Sequence, residues 1–476
     1  MQALLFVLLA HWAVAGLALR PLEPVALTGE AIVLVGDLPS SILGSRPPTF
    51  KASTIKTTQQ LPVPAARPLV AAAATAANGT ARPAAAAAML PTISNPLVLG
   101  ELSALFVPIS ATDATGLACS GTSFSFVSVD EVKAAIFGGP WTPDRSLAAT
   151  LNSCSHGRSR LTPQNSLVTD LVTLPCGGYG GQVPWNWDDC SFYNWMAMSD
   201  NVDAILRSRG IDVNRYKFRF YLMPRLYSGC GYEGLGYQGL DGYGIARNWV
   251  GGYSWTSPQV YLHELGHNLQ VGHASGPSAA IPGTIDEYGD DSCAMGSCCF
   301  NRCFNTPHAF QLGWISAQQR AALAPGQSVS LQLPSQSVSA AGSALRVVPT
   351  WAPGVPDLWL GYRTKAGGDA ELFDAFAGKL SAYTLQPATD FSHPQASLLL
   401  ATLPAGKGWA WQPAGLSVCM HSATSQYALV TLCRPAAGQA CACTVEVAPS
   451  IRIVVATPRK KMRRPYTARR AAPTRT

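Results

Sequence analysis

At 476 residues the chain has room for two or three domains, and with 47% apolar residues it can bury substantial cores, which excludes a wholly disordered protein. Charged residues make up only 13%, against 43 glycines and 36 prolines, a balance that favours strands and loops over long surface helices. The net charge of +7 misleads: segment 458–476 holds eight Arg or Lys and no acid, so the remainder is near neutral and a general nucleic-acid binder is excluded.

Residues 1–18 read as a signal peptide. An apolar run from Ala3 to Leu19, interrupted by His11, is short for a membrane span, and Ala13-Val14-Ala15 has the small-x-small form of a cleavage site. The chain is therefore expected to be secreted, with no membrane association after cleavage. Residues 19–99 read as a pro-segment, with a strand at Glu30–Val35 and an Ala/Pro-rich linker over 64–95 whose prolines forbid one continuous helix. A glycosylation sequon, Asn78-Gly79-Thr80, falls in that linker. All 13 cysteines follow residue 118, as expected of disulfides formed in an oxidising compartment. Thirteen is odd, so one thiol is free or pairs outside the chain. The cluster Cys293, Cys298, Cys299 and Cys303 lacks matching Cys-x-x-Cys pairs and reads as bridges rather than a second metal site.

Residues 100–316 form the expected catalytic domain. Ala104–Ile109 reads as its first strand. A helix is predicted over Asn201–Arg209, capped by Ser199 or Asp200 and stopped by Gly210. Strand Tyr216–Met223 follows, with Phe218, Phe220 and Leu222 on one face. The glycine-rich stretch Gly229–Gly244 is too irregular for a phosphate-binding loop: it contains Gly-x-Gly, but no helix signal follows at the right place. Over 317–457, short apolar runs at Leu345–Val348, Leu358–Leu360, Leu398–Leu400, Tyr427–Leu432 and Ile451–Val455 predict an all-β, sandwich-like C-terminal domain. The basic segment 458–476 reads as a disordered tail, either a solvated end with no partner or a tether to acidic polysaccharide.

One constellation dominates the sequence: His263-Glu264-Leu265-Gly266-His267-Asn268-Leu269-Gln270-Val271-Gly272-His273. It gathers three of the eight histidines in the chain. Ser257-Pro258 marks a helix start just ahead of it. His263 and His267 then share one helix face and can hold a tetrahedral metal, while Glu264 is turned aside from coordination. If the chain bends back, His273 supplies a third ligand and a fourth position stays open for water. That is the arrangement of a catalytic zinc site. Zinc would activate the water, with Glu264 accepting its proton and passing it to the leaving amine of a peptide.

HExxH with a third His, followed by Asp290-Asp291-Ser292-Cys293-Ala294-Met295-Gly296, resembles the metzincin pattern with its methionine turn. Cys303-Phe304-Asn305-Thr306-Pro307-His308-Ala309-Phe310-Gln311-Leu312-Gly313-Trp314, with Leu174-Pro175-Cys176-Gly177 upstream, is similar to the gametolysin family, secreted zinc endopeptidases of green algae. The resemblance spans roughly residues 100–450 and implies an α+β chain: a metzincin-like domain of twisted sheet plus active-site helix, then the β-rich domain. It also implies Zn²⁺ held by His263, His267 and His273, Glu264 as acid/base, Met295 as the hydrophobic floor, and a hydroxyproline-rich cell-wall or matrix glycoprotein as substrate.

Two positions depart from that pattern. Gln270 stands where a metzincin glycine turns the chain, so a side chain must adopt a costly backbone angle or Gly272 must take over part of the bend. Ser297 stands where some metzincins place a tyrosine, leaving Tyr288 as the neighbouring aromatic to consider. No cysteine precedes Cys119, so an inhibitory pro-segment could not silence zinc with a thiolate. The alternative from another class is a catalytically silent relative that binds matrix. Gln270 motivates it, and the intact Glu264 opposes it.

Overall fold

A computed structural model describes residues 99–441, apart from 125–126, 140–142, 227–229, 231, 298–299, 387–394 and 440. The leader, the Glu30–Val35 strand, the linker and its sequon, Ile451–Val455 and the basic tail lie outside the described residues. The described part is mixed α and β, with many strands and few helices.

Alternating apolar residues build the first sheet. Strand β1 (Ala104–Ala111) is buried along its whole length. It pairs in parallel with β2 (Leu167–Val168), β3 (Val172–Leu174) and β4 (Phe218–Leu222). Beyond β4 lies β6 (Ala246–Val250), parallel to it, and at the edge β5 (Gly234–Gly236) runs antiparallel to β6. One face carries Leu105, Val107, Ile109, Tyr221 and Trp249 against helix α3 (Phe192–Ser208). The opposite face carries Phe106, Phe218, Phe220 and Leu222 against α1 (Val129–Phe137), α2 (Leu147–Cys154) and α4 (Pro258–Asn268). Covering both faces is what a largely parallel sheet requires.

Helix α3 starts earlier than the caps Ser199 and Asp200 suggested. Its N-cap is Ser191, whose side chain accepts from the Asn194 N–H. The stripe Trp195, Met198, Val202 and Leu206 extends the buried face by two turns, and Ser199 sits inside it, donating to the Trp195 carbonyl and accepting from the Trp249 indole.

Two further sheets follow. One orders β8 (Ile285–Asp286), β7 (Ala274–Pro277), β14 (Ser397–Leu403), β13 (Lys379–Leu385), β12 (Leu358–Arg363), β11 (Ala344–Val347) and β9 (Ala317–Arg320). The other is an antiparallel set of β10 (Ser328–Pro334), β17 (Tyr427–Cys433), β16 (Leu416–Ala423) and β15 (Lys407–Trp411). An apolar layer that includes Leu333, Leu345, Val347, Leu358, Leu360, Val418 and Val430 lies between them. Four of the apolar runs read in 317–457 fall on β11, β12, β14 and β17.

The seven-stranded sheet takes strands from both sides of residue 316. Strand β7 follows His273 directly and pairs in parallel with β14, and the Ser397 N–H donates to the His273 carbonyl at 3.1 Å. Arg363 on β12 reaches the other way: buried and paired with Asp369, its guanidinium donates to the carbonyls of Ser292 and Cys303. Disulfides join Cys119 to Cys176, Cys154 to Cys303, Cys190 to Cys230 and Cys433 to Cys441. Of the central cysteine cluster, Cys303 is thus bridged, whereas Cys293 is a buried free thiol. No helix among the described residues is long and apolar enough to cross a membrane.

Candidate metal centre

Helix α4 begins where the sequence places it, with Ser257 as N-cap and Pro258 in the first turn, although the Ser257 side chain makes no capping bond. The helix is buried on most sides, which fixes its rotation. His263 and His267, one turn apart, bring their rings to 5.0 Å between centroids. The helix then ends in a Schellman motif: the Val271 N–H donates to the Gly266 carbonyl and the Gln270 N–H to the His267 carbonyl. Gln270 occupies the left-handed residue of that motif at φ +63°, a conformation that favours glycine. Gly272 has no positive φ, so the expectation that it shares the bend is corrected: Gln270 carries the turn itself. His273 nevertheless arrives. Its ring lies 4.8 Å from that of His267 and 5.5 Å from that of His263.

The nitrogens of His263, His267 and His273 lie within 4.8 Å of one another, the one such cluster of potential ligands among the described residues. His267 and His273 present their Nε2 atoms to each other at 3.1 Å. Each outward Nδ1 has a neighbour. His263 Nδ1 is 2.9 Å from the Ala294 carbonyl, His267 Nδ1 is 2.8 Å from the Gln238 amide, and His273 Nδ1 meets the Glu287 carboxylate. Such outer partners orient imidazoles toward a metal. Burial is the main cause of depressed imidazole basicity at all three, reaching about 4 at His263, where His273 adds to the effect. Neutral imidazole is the metal-binding form.

Glu264 is 3% exposed, and its Oε2 has no hydrogen-bond partner. Burial pushes its carboxyl up to about 8. Its carboxylate lies directly on β5. A Cβ at Gly234 would collide with Glu264 Oε1, and one at Gly236 would sit 2.8 Å from Oε2. The glycine-rich stretch Gly229–Gly244 therefore contains a strand. Two glycines at strand spacing on one face permit this close approach, and that spacing was the available signal.

Met295 is fully buried, and its thioether lies so close to Gly266 that a Cβ added there would have to displace it. The turn carrying it is tied to the residue after His273: the Ala274 N–H donates to the Met295 carbonyl and the Asp290 N–H to the Ala274 carbonyl. Tyr288 lies with its ring 4.3 Å from that of His273 and 6.2 Å from that of His263, half-exposed at the edge of the cluster.

The family model for gametolysin peptidase M11 matches residues 109–398, more than half of the chain and the whole of this cluster. The chain belongs to the gametolysin family. A member of this peptidase family takes protein substrates, and its metallopeptidase chemistry agrees with three converging imidazoles. No curated protein matches the chain. Gln238, Glu287, Gly234 and Gly236 had no part in the sequence reading of this gametolysin-family site. Gln238 meets its histidine across 29 residues, a contact that no local pattern records.

Proposed function

We propose that the protein is a secreted zinc endopeptidase that cleaves extracellular-matrix or cell-wall hydroxyproline-rich glycoproteins, with a metzincin-like catalytic unit and a β-rich, sandwich-like C-terminal part. One observation carries the reading: buried Glu264, whose Oε2 has no hydrogen-bond partner, sits on the helix that carries two of three convergent imidazoles. The donor set fits zinc, since three neutral imidazoles are an ordinary catalytic zinc environment. His263, His267 and His273 would hold the ion, and bound there it would supply Lewis acidity to water and to a peptide carbonyl.

The remaining work falls to the chain. Glu264, kept from coordinating by its place on the helix, accepts a proton from the attacking water at its free Oε2 and delivers it to the leaving nitrogen. With an ion held by the histidines, the Glu264 carboxyl would fall below the value that burial alone sets and would serve as base near neutral pH. Met295 and Gly266 hold the floor without competing for the metal. The leader-like N-terminus and the disulfides support an extracellular setting, and the basic tail supports attachment to acidic polysaccharide. Met295 as floor, secretion and substrate class rest on the family resemblance together with these features.

Metal content and cleavage of casein and of a cell-wall extract test the proposal, beside Glu264→Ala. The expected result is about one zinc per chain in both proteins, with cleavage lowered by 10²–10⁴-fold in the variant. Zinc without cleavage in the wild type, even after removal of residues 19–99, would favour the matrix-binding alternative.

A further inference from the structure

The geometry points to Gln238 as the positioning residue that fixes the tautomer of His267, an inference that rests on the zinc-site reading above. His267 turns Nε2 toward the cluster, 3.1 Å from the Nε2 of His273. A neutral imidazole that coordinates through Nε2 carries its proton on Nδ1, and a buried N–H needs an acceptor. His263 has the Ala294 carbonyl for this purpose and His273 has the Glu287 carboxylate. His267, at 6% exposure, has little water to turn to. The group at its Nδ1 is the Gln238 amide, 2.8 Å away.

That amide offers both polarities. Its nitrogen is the atom nearest Nδ1, while its oxygen is buried without any partner. A half-turn about the terminal bond exchanges the two at almost no change in shape. It places the orphaned oxygen on the Nδ1 proton, which satisfies the oxygen and the tautomer together. With the nitrogen inward, the amide favours the proton on Nε2, the tautomer that cannot coordinate. Gln238 is thus a two-position selector whose acceptor setting belongs to the metal-holding site.

The selector is firmly seated. The Asn268 side chain donates to the Tyr237 carbonyl at 2.8 Å, and the Gly239 N–H donates to the His267 carbonyl at 3.0 Å, so the backbone on both sides of Gln238 is tied to the end of α4. The same segment, two residues earlier, lies on Glu264 through Gly236. A single run from Gly234 to Gly239 therefore holds both the carboxylate and one imidazole in place.

Competition with a chromophoric zinc chelator, on the secreted full chain, tests this with three proteins. Gln238→Met keeps the length and removes the acceptor; Gln238→Glu can only accept. The expected result is zinc retention 10–100-fold weaker in the Met variant and at least wild-type retention in the Glu variant. Imidazole proton–nitrogen NMR of the zinc-loaded proteins should show a slowly exchanging Hδ1 on His267 in the wild type and the Glu variant, lost in the Met variant. Equal retention in wild type and Met variant, or equal weakening in both variants, would overturn the role of Gln238 while leaving the zinc site standing. A wild type that holds no zinc would overturn both.

Discussion

Two buried layers of this molecule meet the same demand for dryness in different ways. Between the C-terminal sheets the layer is built mainly of Leu, Val and Ala side chains, with Tyr362, Trp411 and Met420 among them. Between α4 and the first sheet, by contrast, the structure buries Glu264, His267, Asn248 and Asn268, and brings backbone glycines against a carboxylate and a thioether. An apolar layer tolerates volume-conserving exchange because its contacts are interchangeable. The layer around α4 does not, because its buried polar atoms depend on particular partners, as the Asn248 amide does on Arg219 and Asn268. The two layers thus differ in what they tolerate, and substitutions should reveal the difference.

The largest effect is expected at Gly234. Gly234→Ala forces Glu264 away from its seat on β5, and a displacement of about 1 Å at a reacting group can lower the rate on the order of 100-fold. Steady-state kinetics should show the loss in kcat, with zinc content unchanged; an unaltered kcat would mean the carboxylate does not depend on that contact. Acid should act next, through buried His308 on the short helix Thr306–Gln311. Burial depresses His308 to about 3. Below the unfolded value of about 6.5 the unfolded chain takes up a proton that the native one refuses, so stability falls as pH drops from about 6.5 toward 3, by about 1.4 kcal/mol per pH unit for this group. Denaturant titrations at pH 6.5 and 4.5 should give a shallower pH slope for His308→Gln than for wild type; identical slopes would refute the assignment. The smallest effect concerns Gln270, whose φ of +63° carries a strain of about 1 kcal/mol. Gln270→Gly should raise the thermal midpoint slightly without altering zinc content, and a lowered midpoint would show that the Gln side chain contributes more than its strain costs.

How far these features were legible from sequence follows the range of the contacts behind them. The His263–His267 pairing was readable because four residues is one helical turn, β1 and β17 because they are short apolar runs, and β4 because Phe218, Phe220 and Leu222 alternate. The bend at Gln270 was foreseen as a place of strain, yet its solution was not, since only the hydrogen bonds of Val271 and Gln270 to the helix end reveal that the chain accepts the strain outright. Helix α3 was cut short because Ser199 looks like a cap, whereas its hydroxyl is occupied inside the helix by Trp195 and Trp249. Strand β5 was passed over because glycine has low strand propensity, and its reason for being there, the carboxylate of Glu264, lies 30 residues away in the chain.

The pairing of β7 with β14 bears on how such an enzyme can be divided. The chain between Gln270 and Pro277 leaves the helix, delivers His273 and at once becomes an internal strand of a sheet completed by residues more than a hundred positions later. The methionine turn is gripped by Arg363 from the same late region. An expression fragment trimmed after Ser316 would keep every residue of the HExxH motif and lose the scaffolding that seats the third histidine. Shuffling the C-terminal half between relatives therefore also reaches the histidine cluster, through Ser397 on β14 and Arg363 on β12.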